Sequence, residues 1–179
     1  MPASHTADSK LLSYLLRHNP GEVGLTLQPG GWVAVDALLD GLARRGTPLT
    51  RERLADIVRD SPKQRFSLED GRVRANQGHS VPVDLELSPA TPPDTLWHGT
   101  AKRFWPSIQS EGLRPQGRHH VHLSADRSTA AEVGRRFGKL VLLTVRAAAL
   151  HAAGSSFYRS ANGVWLVDAV PPEFLGAAD

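Results

Sequence analysis

The chain has 179 residues, 40% hydrophobic and 22% charged, enough apolar material for one ordinary domain or two small lobes and too much for a disordered chain. It contains no cysteine, which excludes disulfides, thiolate zinc sites and a cysteine nucleophile and fits a reducing, cytoplasmic setting. The formal net charge of +3 permits an anionic partner without demanding one, so any nucleic-acid reading has to rest on particular arginines.

The first residues are polar and lack a hydrophobic signal region, and the longest apolar run, Leu140–Val145, is far too short to span a bilayer. No membrane partner is expected. Leu11, Leu12, Leu15 and Leu16 form one stripe at helical spacing, which predicts a helix over Lys10–His18, capped by Asp8 or Ser9 and stopped by Asn19-Pro20-Gly21. Arg17 lies nearly opposite that stripe and His18 on its flank, so the last turn offers a cation and an imidazole to solvent or ligand.

Gly30-Gly31 predicts a turn, Trp32–Val35 a short strand, and Asp36 the cap of a helix through Ala43. Thr50 caps a further helix over Arg51–Arg59, ended by Pro62. Arg65–Leu68 and Arg72–Ala75 flank Glu69-Asp70-Gly71, a hairpin signal. Three short helices followed by a hairpin outline a winged-helix module, a form used for nucleic acid and for protein partners alike.

Four prolines between Ser80 and Pro93 predict a linker or extended crossing. The expected domains are therefore residues 1–80, a linker over 81–93, and a second lobe over 94–179. In that lobe strands are expected at Leu96–His98, His120–Ser124, Leu140–Val145 and Val164–Val167, with helices at Phe104–Gly112 and Thr129–Phe137. The fold class is α+β.

The segment Arg118-His119-His120-Val121-His122-Leu123-Ser124 is the most informative. On a strand, Arg118, His120, His122 and Ser124 share one face and Val121 and Leu123 the other. That polar face suits a phosphate-rich or ribose-bearing ligand. A solvated edge strand and a metal site compete with this reading, although no carboxylate follows at helical metal-ligand spacing. His98-Gly99-Thr100 offers close backbone approach at the glycine and hydrogen bonds to ribose from its neighbours. No Gly-x-Gly-x-x-Gly occurs, so a hydride-transfer dinucleotide fold is unsupported. Asn162-Gly163-Val164-Trp165 marks a turn entering a strand. Arg17 and Arg65 could clamp phosphate oxygens or be ordinary surface charge.

Taken in order, Ser9–His18, Gly31-Trp32-Val33, Arg65-Phe66, His98-Gly99-Thr100, Arg118–Ser124 and Asn162–Leu166 resemble the NAD⁺-dependent RNA 2′-phosphotransferase family over about Ser9 to Leu175. The resemblance implies an N-terminal winged-helix RNA lobe and a C-terminal ADP-ribosyltransferase-like lobe. It also implies a catalytic set of Arg17, His18, Arg65 and Arg118. NAD⁺ would be held by His98, Gly99, Thr100, His122, Ser124 and Val164, with no metal. The implied reaction moves an internal RNA 2′-phosphate to NAD⁺, giving 2′-hydroxyl RNA, ADP-ribose 1″,2″-cyclic phosphate and nicotinamide. The expected partner is RNA bearing a 2′-phosphate, with the protein acting as a monomer and no obligate protein partner. Two rivals differ in outcome: a transferase that caps terminal phosphates of RNA or DNA with ADP-ribose, and a non-catalytic nucleotide-sensing module.

Overall fold

The computed structural model describes residues 3–178. Its first helix, α1 (Ala3–Arg17), begins well before the leucine stripe, so neither Asp8 nor Ser9 is the cap expected from the sequence. The reason is tertiary: Asp8 sits inside the helix, and its carboxylate accepts a 3.0 Å hydrogen bond from Arg53 Nη2. The stripe itself does what its spacing demands. Leu12, Leu15 and Leu16 are fully buried against Leu38 and Leu42 of α2 (Val35–Arg44) and Leu54 and Ile57 of α3 (Arg51–Arg59). Truncating one of these leucines to alanine would cost about 2–5 kcal/mol.

Thr50 caps α3 as expected, its side chain accepting from Arg53 N at 3.1 Å. Asp36 does not cap α2. That helix starts two residues earlier, at Val35 with Ala34 at the cap, and Asp36 lies in the first turn, where a carboxylate favours the helix dipole. The expected strand over Trp32–Val35 shrinks to β1 (Val33–Ala34). Two guanidiniums lie over the Trp32 ring, Arg72 5.0 Å and Arg74 4.5 Å from its centroid.

β2 (Phe66–Glu69) and β3 (Arg72–Ala75) form the expected hairpin, and the small sheet runs β1-β3-β2, antiparallel throughout. Asp70 and Gly71 both have left-handed φ, 47° and 71°, the backbone a tight two-residue hairpin turn requires. These elements belong to a first compact unit reaching to Leu87. The stretch over 81–87 alternates half-buried and exposed residues, and Asp84 O accepts from Gly30 N at 2.8 Å.

The second unit starts at Ser88 and is built from two three-stranded antiparallel sheets. One has the order β4 (Thr95–Ala101), β6 (Leu140–Arg146), β9 (Leu175–Ala178). The other runs β5 (Val121–Leu123), β8 (Trp165–Val167), β7 (Phe157–Arg159). A single bridge joins them: Trp97 N donates to Ser124 O at 2.8 Å and Ser124 N to Trp97 O at 2.9 Å. Helices α4 (Trp105–Glu111), α5 (Arg127–Arg135) and α6 (Ala147–Ala152) complete the unit. Its main core gathers Leu96, Leu143, Val145, Leu150, Phe157 and Trp165.

The chain is thus α+β. Three elements of the second unit, α6, β7 and β9, were not expected from the sequence. α5 starts two residues earlier than its expected span because Asp126 caps it, accepting from Thr129 N at 2.6 Å. A hydrogen bond from the Ser128 hydroxyl, together with those from Thr129, lowers the Asp126 pKa to about 2. No helix among the described residues is long and apolar enough to cross a membrane.

Candidate active site

In the first unit, the C-terminal end of α1 brings Arg17 and His18 beside the stretch that follows the hairpin. The Arg17 carbonyl accepts from Ser80 N at 3.0 Å, which pins that stretch to the helix end. His18 Nδ1 lies 2.8 Å from the Ser80 hydroxyl. The Arg17 guanidinium passes over Gly78, its Nη1 3.6 Å from where a Cβ on that glycine would stand.

Arg65 is half-buried just before β2, and its backbone is held on both sides. The buried Asn76 donates from its backbone N to Arg65 O at 2.9 Å and from Nδ2 to Gln64 O at 2.7 Å. Gln64 carries a left-handed φ of 44°, a conformation costly for a residue with a side chain. The Asn76 amide offsets that cost and fixes where the Arg65 side chain leaves the main chain. Ser80 and Asn76 went unnoticed in the sequence. Each pairs with a partner distant in the chain, and no local spacing marks either.

In the second unit, β4 and β5 diverge from the Trp97–Ser124 bridge, and two histidines stand next to the fork. His98 Nδ1 is 3.0 Å from the His122 carbonyl. A carbonyl only accepts, so Nδ1 carries the proton and neutral His98 has Nε2 as its acceptor. Burial, and to a lesser extent the Arg118 charge, push the His98 pKa below its ordinary value, so the ring is neutral at pH 7.

Arg118 Nη1 lies 3.0 Å from His122 Nδ1. Guanidinium can only donate, so neutral His122 carries its proton on Nε2. The two rings therefore hold opposite tautomers, an acceptor at His98 Nε2 and a donor at His122 Nε2. Arg118 is exposed, yet enough protein surrounds its guanidinium that desolvation lowers its pKa. It remains charged at any physiological pH.

The shared strand face expected for Arg118, His120, His122 and Ser124 is only partly formed. β5 covers just Val121–Leu123, with Val121 and Leu123 buried and His122 half-buried. Arg118 precedes the strand in a turn closed by its own N donating to Pro115 O at 3.1 Å, and it reaches His122 by that turn and not by the pleat. His120 lies just outside the strand: its Nε2 sits 3.6 Å from Asp168 Oδ1 and its ring 5.6 Å from that of Tyr158. Burial lowers its pKa, with Asp168 opposing. The Ser124 hydroxyl is occupied by a turn at the start of α5, donating to Asp126 O at 2.9 Å and accepting from Asp126 N at 3.1 Å.

Gly99 has a packing reason for lacking a side chain. A Cβ there would stand 1.8 Å from Ala130 O and 2.9 Å from Gly134 N, inside α5. The neighbouring Thr100 is buried. Val164 closes the turn before β8, its N donating to the Ser160 hydroxyl at 3.1 Å and its O accepting from Ser160 N at 2.9 Å. Among the described residues no group of three or more histidines and carboxylates is arranged to hold a metal ion.

The arrangement therefore consists of a helix-end Arg–His pair and an anchored arginine in one unit, and an Arg–His–His chain in the other. Comparison with known proteins identifies the family. The chain matches the model of the RNA 2′-phosphotransferase, Tpt1 / KptA family over residues 3–169. It is 54% identical over 176 residues to a probable RNA 2′-phosphotransferase of Streptomyces griseus, covering 93% of each chain. A protein of the same description from Nostoc punctiforme is 54% identical over 169 residues, again with 93% of each chain covered. One from Pseudomonas aeruginosa is 52% identical over 173 residues, covering 95% of each. The chain belongs to the RNA 2′-phosphotransferase, Tpt1 / KptA family.

Proposed function

We propose that the protein transfers an internal RNA 2′-phosphate to NAD⁺, giving 2′-hydroxyl RNA, ADP-ribose 1″,2″-cyclic phosphate and nicotinamide. Family membership supports the RNA 2′-phosphate as the group transferred. The observation that carries the rest is the chain from Arg118 through His122 to His98. It links a phosphate-binding cation to an imidazole acceptor able to take a ribose hydroxyl.

In the first step a 2′-phosphate oxygen attacks C1″ of the nicotinamide ribose. The new C–O bond forms as the glycosidic C–N bond breaks, and its electron pair leaves with nicotinamide. In the second step the phosphorus passes from the RNA 2′-oxygen to the ribose 2″-oxygen. The 2″-hydroxyl loses its proton, and the departing RNA 2′-oxygen gains one.

Each assigned residue has a job that its chemistry permits. Arg17 and Arg65 bind the RNA phosphate, and His18, with Nδ1 against Ser80, bonds it or moves a proton. Arg118 stabilises the negative charge that grows on phosphate oxygens in the second step. His98 and His122 orient the ribose. Gly99, Thr100, Ser124 and Val164 complete the set that holds NAD⁺. The reading also makes the first unit a winged-helix RNA-binding lobe, on the strength of its three helices and hairpin, and the second an ADP-ribosyltransferase-like lobe. The arginines supply the positive charge the transfer needs, with no step assigned to a metal.

Nicotinamide release tests this at low cost. Purified protein with NAD⁺ and a 2′-phosphorylated RNA releases nicotinamide stoichiometrically with 2′-phosphate lost, and omission of the RNA abolishes release. Release without loss of the 2′-phosphate would turn the reading toward a transferase that leaves ADP-ribose on the RNA.

A further inference from the structure

One exposed surface of the second unit lies outside every residue assigned above. Lys102 N donates to Lys139 O at 2.7 Å just past the Ala101–Leu140 register pair, so the end of β4 and the start of β6 emerge together. Lys102, Arg103 and Phe104 follow β4, while Arg136, Phe137 and Lys139 lead into β6, and all six are exposed. Arg135, in the last turn of α5, adds a further exposed cation.

The composition of this surface is unlike that of the chain. Neither residues 102–104 nor residues 135–139 include an acidic side chain, and the nearby Glu132 is bonded to Arg136 at 2.6 Å. The whole chain balances 21 basic against 18 acidic residues. Phe137 is 48% exposed and Phe104 43%, two of the three exposed large hydrophobic side chains among the described residues. Arg103 lies over the Phe104 ring, 4.7 Å from its centroid. A cation at the last turn of α5 is explained by the helix dipole. Two half-exposed phenyl rings among cations are not. Rings for stacking bases, interleaved with cations for phosphates, are the makings of a single-stranded nucleic-acid platform.

We propose that this surface binds a single-stranded stretch of the substrate RNA flanking the reacting nucleotide. The proposal rests on the reading that the chain acts on RNA. Lys102, the first residue past β4, lies four residues beyond His98, roughly 13 Å at about 3.3 Å per residue. That is about four stacked nucleotides at roughly 3.4 Å each, so a dinucleotide cannot occupy both places.

The test uses the full chain and fluorescence anisotropy with a twelve-nucleotide single-stranded RNA that has no 2′-phosphate. The variant carrying both Lys102→Ala and Lys139→Ala should bind about tenfold more weakly. Its plot of log affinity against log salt should be shallower by about 1.4, the slope expected for two lost phosphate contacts on a single strand. Phe137→Ala should weaken binding about fivefold or more through lost stacking. Both variants should retain wild-type kcat and KM on a 2′-phosphorylated dinucleotide. Wild-type RNA affinity and salt slope in the lysine variant would overturn the proposal. So would an equal loss on the dinucleotide, or lost binding to phosphatidylserine vesicles with RNA affinity unchanged. The reaction itself fails separately: wild-type protein would then bind the RNA and release no nicotinamide.

Discussion

Arg118 donates to His122 Nδ1 across 3.0 Å, and the carbonyl of the same His122 receives Nδ1–H of His98 at 3.0 Å. One residue on a three-residue strand thus couples the arginine assigned to phosphate with the histidine assigned to ribose. Disturbing Arg118 therefore removes a charge and also releases the His122 tautomer. The charge is assigned to the second step and the tautomer to ribose orientation, so the two losses are told apart by which step slows.

Arg118→Ala should slow the second step far more than the first. Loss of one donor to developing negative charge costs about 10²–10³ in rate, so RNA carrying ADP-ribose on its 2′-phosphate should accumulate. Gel analysis of a single-turnover reaction checks this. Full turnover without the intermediate would remove Arg118 from the phosphate.

His98 gives a pH prediction with a definite sign. Its folded pKa lies below the ordinary histidine value near 6.5, so above that value the ring is neutral folded or unfolded and contributes no pH dependence. As pH falls below about 6.5 the unfolded chain takes the proton first, and stability declines until the folded pKa is passed. Melting of wild type against His98→Gln from pH 7.5 to 5 should show a smaller acid loss in the variant. His98→Ala should also raise the apparent KM for NAD⁺ about tenfold at pH 7.5 with a smaller change in kcat, since a hydrogen bond to bound ribose is worth about 1 kcal/mol or more. An unchanged KM would take His98 out of the cofactor site.

Gly99→Ala should be destabilising by about 3 kcal/mol or more, because the added methyl meets Ala130 O at 1.8 Å and main-chain atoms cannot swing aside. Chemical denaturation measures the effect. A change within about 0.5 kcal/mol would mean that α5 shifts freely away from β4.

Ser80→Ala removes the hydroxyl beside His18 Nδ1 without touching the helix that carries the imidazole. A single hydrogen bond of this kind is worth about 1 kcal/mol, so kcat should fall about fivefold while NAD⁺ affinity holds. Equal loss in Ser80→Ala and Ser80→Thr would argue for backbone packing instead of positioning, since threonine keeps the hydroxyl.

Much of the architecture could be read from local signals. Thr50 caps its helix and Asp70-Gly71 turns its hairpin, because each signal and its consequence lie within a few residues. The alternation of Val121, His122 and Leu123 similarly survives in β5. What could not be read depends on distant partners. Asp8 has the chemistry of a cap but is taken by Arg53, 45 positions away. β7 and β9 are three and four residues long and exist through their pairing with β8 and β6. Ser80 and Asn76 position His18 and Arg65 from segments with no motif of their own. Gly99 carried a plausible ligand-approach signal, yet the neighbour that demands a glycine is a helix some thirty residues on.

The most direct test of the central claim is chromatography of a short RNA bearing one internal 2′-phosphate, incubated with the purified protein with and without NAD⁺. The account predicts NAD⁺-dependent conversion to the 2′-hydroxyl RNA with equimolar ADP-ribose 1″,2″-cyclic phosphate. Well-folded protein that leaves the 2′-phosphate in place in the presence of NAD⁺ would contradict it.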